Sequence, residues 1–202
     1  MKQTILALLL FILATPAFSD TPRILVLGDS LSAAYGIDQR AGWVALLQQR
    51  LEKHNPRYQV VNASISGETA AGGLTRLPKL LQQHRPAIIV IALGANDGLR
   101  GLSLEEMKSN LEKMIDLAKK KKAKALLVGM QLPPNYGPVY ARRFQDVYQE
   151  ISKERKIAFV PFLLAGIAEN KTLFQSDGLH PTALAQEQIL NNVWAKLKTM
   201  LK

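Results

Sequence analysis

Cysteine is absent from this 202-residue chain. Its absence excludes disulfide bonds, thiolate-bound metal ions and a cysteine nucleophile, so packing alone has to stabilise the fold. Histidine is scarce as well, since only His54, His84 and His180 occur. The three are scattered without the spacing of metal ligands, and no glycine-rich phosphate-binding motif is present. We therefore expect neither a metal site nor a cofactor.

Long apolar runs are also missing, except for one at residues 5–14. That run is too short to cross a bilayer, which takes about 20 residues in a helix. Lys2 precedes it and the small residues Ala17 and Ser19 follow it, which is the pattern of a secretory signal peptide. We expect cleavage between Ser19 and Asp20, and a periplasmic or secreted product that is not inserted in a membrane.

Residues 20–202 remain once the signal peptide, residues 1–19, is set aside, and that length suits a single domain. Acidic residues are outnumbered: the formal net charge is +10, and it falls by one to +9 without Lys2. The densest basic run, at 119–122, has no aromatic residues among its lysines and is typical of an exposed helix end. We therefore expect no nucleic-acid partner. We expect a monomer, although the sequence leaves the oligomeric state open.

Five apolar runs recur along the chain, separated by segments with helical spacing. The runs predict strands at 23–27, 58–61, 87–93, 125–130 and 158–162. The spacing predicts helices around 43–51, 74–81, 104–118, 140–156 and 182–201. Alternating strands and helices form βαβ units, and runs without polar alternation indicate strands covered on both faces. The sequence therefore predicts an α/β fold, a three-layer α/β/α sandwich around a five-stranded parallel sheet, with a flavodoxin-like strand order by analogy.

In such a sheet, ligands bind beyond the carboxyl ends of the strands. The loops after the first three strands carry Ser30, Gly67 and Asn96. Each has an ordinary structural interpretation, Ser30 as a helix N-cap and the other two as turn residues. A later loop places Asp177 three residues before His180. A serine at a strand end, with an acid and an imidazole in one loop, is the set of side chains that a nucleophilic hydrolase needs.

Four segments resemble, in order, the four sequence blocks of the SGNH, or GDSL, hydrolase family. They contain Ser30, Gly67, Asn96 and His180. Further segments are similar to the bacterial secreted thioesterase I/protease I/lysophospholipase/arylesterase branch, at 28–33, 76–78, 94–101 and 132–137. No G-x-S-x-G motif surrounds Ser30, which argues against the α/β-hydrolase fold.

The resemblance implies the SGNH hydrolase fold and a role for each site residue. Ser30 would be the nucleophile, His180 the general base and then acid, and Asp177 the residue that orients His180. The backbone N–H groups of Ser30 and Gly67 and the side-chain amide of Asn96 would form the oxyanion hole.

The resemblance constrains the substrate less than the mechanism. Segment 98–102 is similar to a mobile loop of the branch, and apolar side chains there and in 132–137 are expected to bind an acyl chain: Leu99, Leu102, Leu132, Pro133 and Tyr136. Ordinary loop packing explains Tyr136 equally well. We therefore expect a secreted serine esterase that hydrolyses acyl esters and thioesters through an acyl-enzyme on Ser30, with lysophospholipid as one candidate substrate. The alternatives are a carbohydrate or acetyl-ester deacylase on the same residues and a non-catalytic flavodoxin-like binding module.

Overall fold

Parallel pairing of five strands organises the chain in a computed structural model, which describes residues 21–201. The strands are β1 (Arg23–Gly28), β2 (Gln59–Asn62), β3 (Ile88–Ala92), β4 (Lys124–Val128) and β5 (Ala158–Val160). Their order across the sheet is β2-β1-β3-β4-β5, and all neighbours are parallel. This is the flavodoxin-like order, so the sequence-based prediction is confirmed.

Helices cover both faces of this sheet. They are α1 (Trp43–His54), α2 (Ala70–His84), α3 (Ala95–Leu99), α4 (Leu104–Lys120), α5 (Pro138–Arg155) and α6 (Gln186–Leu197). α1 packs against α6 on one face, while α4 packs between α2 and α5 on the other. The predicted three-layer α/β/α sandwich is therefore confirmed.

The core lies between the sheet and the helices. All five residues of β3 are buried, which explains why its sequence shows no polar alternation. On α4, the apolar residues predicted to share one face are all buried: Leu104, Met107, Leu111, Met114, Ile115 and Ala118. Full burial of each large aliphatic side chain stabilises the fold by about 1.5–3 kcal/mol, so this one helix face contributes substantially to stability.

Two predictions of secondary structure need correction. The C-terminal helix expected over 182–201 is shorter, because 3-10 turns occupy Ala183–Ala185 and Lys198–Met200 on either side of α6. Such turns are common at helix ends, where the regular hydrogen-bond pattern runs out. The segment after β3, interpreted as a turn, contains the short helix α3, which follows Gly94 in a left-handed conformation with φ of 108°.

The basic run at residues 119–122 spans the C-terminal end of α4. α4 ends at Lys120, and all four lysines of 119–122 are exposed, so their interpretation as a solvated helix end is confirmed.

Between residues 21 and 201, no helix is both long enough and apolar enough to cross a bilayer. The predicted signal peptide and its cleavage site lie outside the described residues.

Candidate active site

Ser30 lies in a tight turn directly after β1. The turn closes when the carbonyl oxygen of Asp29 accepts the N–H of Ser32 at 3.1 Å. Gly28 ends the strand without a side chain because a Cβ there would lie 2.6 Å from the Ser32 hydroxyl oxygen. The next α-helix begins only at Trp43, so the interpretation of Ser30 as an α-helix N-cap is wrong. Its hydroxyl is instead turned toward a distant part of the chain.

A continuous hydrogen-bonded chain joins Ser30, His180 and Asp177. His180 Nε2 lies 2.8 Å from Ser30 Oγ, and His180 Nδ1 lies 2.7 Å from Asp177 Oδ2. The other Asp177 oxygen accepts the backbone N–H groups of His180 (3.0 Å) and Leu179 (2.9 Å). The bonds from the backbone and ring of His180, together with that from Leu179, lower the pKa of Asp177 to about 2. An ionised carboxylate only accepts, so Nδ1 carries the hydrogen, and in a neutral imidazole Nε2 is then the nitrogen whose lone pair can accept the serine proton.

The loop that carries the acid and the imidazole is closed on itself. Phe174 and Pro181 form an isolated antiparallel bridge, and Gln175 N–H donates to His180 O at 2.8 Å. Within this closed loop, Gly178 adopts a left-handed φ of 67°, and its N–H donates to Gln175 O at 2.9 Å. A left-handed residue at this point suits glycine. The turn between Asp177 and His180 thus brings their two side chains into contact.

Tyr35 is a part of the site that the sequence analysis missed. Its ring lies against the His180 imidazole, with centroids 4.4 Å apart. Its carbonyl oxygen also accepts a hydrogen bond from Gln175 Nε2 at 2.8 Å. These two contacts join the loop after β1 to the loop of Asp177. No local pattern signals this pairing, because the partners lie far apart in the sequence.

The two other predicted oxyanion donors lie in neighbouring loops. Asn96 is in the first turn of α3, and its Nδ2 donates to the carbonyl oxygen of Glu68 at 3.0 Å. Gly67, the residue before Glu68, has a left-handed φ of 77°, and its carbonyl oxygen accepts from Arg100 Nη2 at 2.9 Å. The structure therefore brings Gly67 and Asn96 to one corner of the sheet edge.

Two buried carboxylates are sequence neighbours of the site residues, Asp29 of Ser30 and Asp97 of Asn96. Asp29 is 2% exposed, and its Oδ1 accepts the N–H of Leu31 at 3.0 Å. Burial raises its pKa to about 6, against the opposing effect of that hydrogen bond. Burial also raises the pKa of Asp97, whose Oδ2 accepts the N–H of Ala70 at 2.9 Å and so caps the start of α2. Asp97 therefore links α3 to α2, whereas the charge of Asp29 is opposed by burial and favoured by the Leu31 N–H and by His180.

A cavity of about 1240 Å³ opens beside Ser30 and His180. Asn96 and Asp29 also line it. Its apolar wall is formed by Leu31, Leu99, Met130, Leu132, Phe162, Leu164 and Phe174. A largely apolar cavity beside a hydroxyl and an imidazole can bind a molecule with a hydrocarbon tail and a reactive head.

The structure divides the five residues predicted to bind an acyl chain. Leu99, Leu132 and Pro133 line the cavity. Leu102 and Tyr136 are not part of its wall. Leu102 is exposed to solvent, and the Tyr136 hydroxyl donates to the carbonyl oxygen of Leu99 at 2.9 Å. Tyr136 thus contacts the backbone of Leu99 and does not line the cavity itself.

The segment after β5 also contributes to the site, which the sequence-based prediction did not include. Phe162, Leu164, Lys171 and Phe174 from this segment line the cavity. A signal was available in the sequence, because this apolar run follows a predicted strand. The rule that sites lie at carboxyl ends of strands applies to β5 as well as to the first three strands.

Known proteins are similar to this chain in sequence and structure over most of its length. Residues 26–188 match the GDSL-like Lipase/Acylhydrolase family. The chain is 52% identical over 178 residues to Esterase TesA of Pseudomonas aeruginosa, across 88% of this chain and 89% of that protein. It is 37% identical over 196 residues to Thioesterase 1/protease 1/lysophospholipase L1 of Escherichia coli K12, across 97% of this chain and 93% of that protein. A crystal structure of TesA matches with a TM-score of 0.87 at 51% identity, over 89% of this chain and 99% of that one. This chain therefore belongs to the GDSL-like lipase/acylhydrolase family.

Proposed function

We propose that this protein is a serine hydrolase of acyl esters and thioesters that acts through an acyl-enzyme on Ser30. The observation that carries the proposal is the chain of hydrogen bonds from Ser30 through His180 to Asp177 at the mouth of an apolar cavity. The names of the relatives, an esterase and a thioesterase, agree with this reaction class.

In the first half-reaction, Ser30 Oγ attacks the carbonyl carbon while its proton passes to His180 Nε2. The 2.8 Å separation of these two atoms supports direct transfer. The carbonyl π electrons move to oxygen and form an oxyanion. When the C=O bond reforms, the bond to the leaving oxygen or sulfur breaks, and the leaving group takes the proton from His180. Ser30 is left as an acyl ester.

In the second half-reaction, water takes the place of the leaving group. His180 accepts a proton from water as the water oxygen attacks the acyl carbon, and Ser30 Oγ then departs with that proton. The products are a carboxylic acid and the free enzyme. Asp177 stays ionised throughout and stabilises the imidazolium that forms in both half-reactions.

The oxyanion needs preorganised donors in both half-reactions. We assign this role to the N–H groups of Ser30 and Gly67 and to the Asn96 amide. An asparagine amide has two N–H bonds, and the one donated to Glu68 O leaves the other for the substrate oxygen. Such donors act on the transition state, because the charge on oxygen develops only there.

The cavity supports acyl chains longer than acetyl as substrates. Its volume of about 1240 Å³ exceeds what an acetyl group needs, and its wall is largely apolar. Burial of each methylene is worth about 0.8 kcal/mol, so kcat/KM is expected to rise roughly fourfold per methylene until the cavity is filled. A chain-length series of aryl esters tests this, since a deacetylase would peak at acetyl.

Covalent labelling tests the nucleophile directly. An organophosphorus ester should add one phosphoryl group to Ser30 and abolish hydrolysis, and Ser30→Ala should lose both labelling and activity. Ser66→Ala is a matched control, because Ser66 is an exposed serine in the neighbouring loop after β2. Labelling that persists in Ser30→Ala would place the nucleophile elsewhere.

We also propose that the protein is exported as a monomer and that lysophospholipid is among its substrates. The support for export is the N-terminal pattern of Lys2, an apolar run and Ser19. N-terminal sequencing of periplasmic or secreted protein should begin at Asp20, and gel filtration should give the mass of one chain. Release of fatty acid from a lysophosphatidylcholine is the test of the lipid substrate.

A further inference from the structure

The β2–α2 loop, residues 63–69, is tied down near both ends by one side chain. Arg76, in the second turn of α2, donates from Nε to Glu68 Oε2 at 2.7 Å and from Nη1 to Ala63 O at 3.1 Å. The arginine and glutamate side chains are only 27% and 11% exposed. Water screens this ion pair little, and removal of one partner would leave the other charge covered and uncompensated. The loop is therefore expected to rearrange when the pair is broken.

Glu68 has a second connection through its backbone. Its carbonyl oxygen accepts the hydrogen bond from Asn96 Nδ2 at 3.0 Å. The residue before it in the chain is Gly67. Glu68 thus contacts one proposed oxyanion donor, the Asn96 amide, through a hydrogen bond. It directly follows the other, Gly67, whose donor N–H lies in the preceding peptide bond. A rotation of the Glu68 backbone would displace the Asn96 amide and the Gly67 peptide together.

The position of the Glu68 carboxylate is built into the first turn of α2. A Cβ on Gly72 would lie 1.9 Å from Glu68 Oε1, so a glycine is needed there to make room for the carboxylate. The same turn is capped by Thr69, whose Oγ1 accepts the N–H of Gly72 at 3.2 Å. A helix N-terminus also favours a negative charge. Two hydrogen bonds therefore hold Glu68, one from the Arg76 guanidinium to its carboxylate and one from the Asn96 amide to its carbonyl oxygen, and its carboxylate lies beside the first turn of α2.

We propose that the Arg76–Glu68 ion pair is a positioning device for the oxyanion hole. Arg76 holds Glu68, and Glu68 sets the direction of the Asn96 N–H and of the Gly67 peptide. This inference rests on the proposed function, because the direction of these donors matters only if a carbonyl compound reacts beside them. Arg76 and Glu68 are positioning residues and act through their neighbours. Their effect is expected in kcat more than in KM, since oxyanion donors bind the transition state more strongly than the ground state.

Steady-state kinetics of Arg76→Gln and Glu68→Gln test the proposal on the full-length enzyme. With active sites counted by organophosphorus labelling, kcat for one aryl ester should fall about tenfold or more while KM stays within about twofold. Arg76→Lys should be intermediate, because a single ammonium cannot reproduce the bridge from Glu68 to Ala63.

A double-mutant cycle with Asn96 separates positioning from general stability. Asn96→Ala should lower kcat by about 10²–10³ in the wild-type background. In the Arg76→Gln background, Asn96→Ala should lower kcat by a factor at least about ten times smaller, because the Asn96 amide is already displaced. Additive effects would overturn the proposal, and so would a wild-type kcat in Arg76→Gln. Glu68→Gln, which conserves shape, carries the cycle if Arg76→Gln does not fold.

Arg155 is the matched control. It bridges Glu112 at 3.3 Å and Asp116 at 3.0 Å, and its side chain is 32% exposed, similar to Arg76. It lies at the C-terminal end of α5 and not in the loops that carry the site. Arg155→Gln should lower the Tm and leave kcat unchanged. Failure of the proposed function is a different result, because wild-type protein would then neither hydrolyse esters nor be labelled at Ser30.

Discussion

The aromatic ring of Tyr35 lies against the imidazole of His180, with centroids 4.4 Å apart and planes inclined by 40°. Tyr35 comes from the loop after β1, and His180 comes from the loop after β5. The contact therefore restrains the imidazole from a second loop, in addition to its hydrogen bond with Asp177. The site combines the loops after β1 and β5. The His180 imidazole is contacted by Tyr35 from the first loop and by Asp177 from the second.

Replacement of Tyr35 by alanine should lower kcat and leave the protein folded. An aromatic contact of this kind is worth about 0.5–1.5 kcal/mol, so a loss of roughly two- to tenfold is expected when the imidazole gains freedom. Tyr35→Phe keeps the ring and should retain wild-type kcat. Kinetics with a short, soluble aryl ester measure both variants, and equal losses in the two would point to the hydroxyl instead of the ring.

Asp177→Asn should lower kcat by about 10³–10⁴, because an amide can donate to the imidazole and favour the wrong tautomer. Asp38→Asn is a matched control. The pKa of Asp38 is also lowered to about 2, by its hydrogen bonds with Arg40, but it has no contact with His180. Its loss should leave kcat unchanged. A similar kcat in the two variants would remove Asp177 from the mechanism.

Asn96→Ala should lower kcat by about 10²–10³ with little change in the far-ultraviolet circular dichroism spectrum. The reason is the loss of one oxyanion donor, while α3 itself keeps its backbone bonds. Labelling of Ser30 by an organophosphorus ester should slow in parallel, because its phosphoryl oxygen also gains charge in the transition state. An unchanged kcat would exclude Asn96 from the oxyanion hole.

Much of this architecture could be predicted from sequence because the fold obeys periodic rules. Buried parallel strands read as continuous apolar runs, and α4 shows its buried face in its spacing. The strand-end rule points to Ser30 and Asn96, which line one cavity together with His180. The roles of these residues are implied by family resemblance, since Ser30 and Asn96 each had an ordinary structural explanation as well.

Side-chain direction in loops could not be predicted in this way. Leu99 and Leu102 lie three residues apart, but only Leu99 lines the cavity. Between them the chain passes through Gly101, whose left-handed φ of 65° turns the backbone. Periodicity does not apply across such a turn. The contact of Tyr35 with His180 is harder still, because it depends on how two distant loops pack.

Leu99→Asn should penalise long acyl chains more than short ones, because Leu99 lines the apolar cavity whereas acetyl esters make little use of it. We expect kcat/KM to fall about tenfold or more for a decanoyl aryl ester and less than about threefold for the acetyl ester. Leu102→Asn, three residues further along the chain and exposed, is the control and should change neither value. Equal losses across chain lengths would contradict an acyl-binding role for Leu99.

Asp29→Asn should stabilise the protein at alkaline pH and leave its stability near pH 4 unchanged. Burial raises the folded-state pKa of Asp29 to about 6, above the value near 4 of an unfolded aspartate. Between these values the folded state binds more protons than the unfolded state, so the free energy of unfolding falls as pH rises from about 4 to about 6. Above pH 6 the wild type carries the full cost of a buried charge, on the order of 3 kcal/mol, which the neutral amide avoids. The asparagine oxygen can still accept the N–H of Leu31. Urea unfolding of both proteins at pH 4, 6 and 8 measures the difference, and a pH-independent difference would show that Asp29 does not titrate in this range.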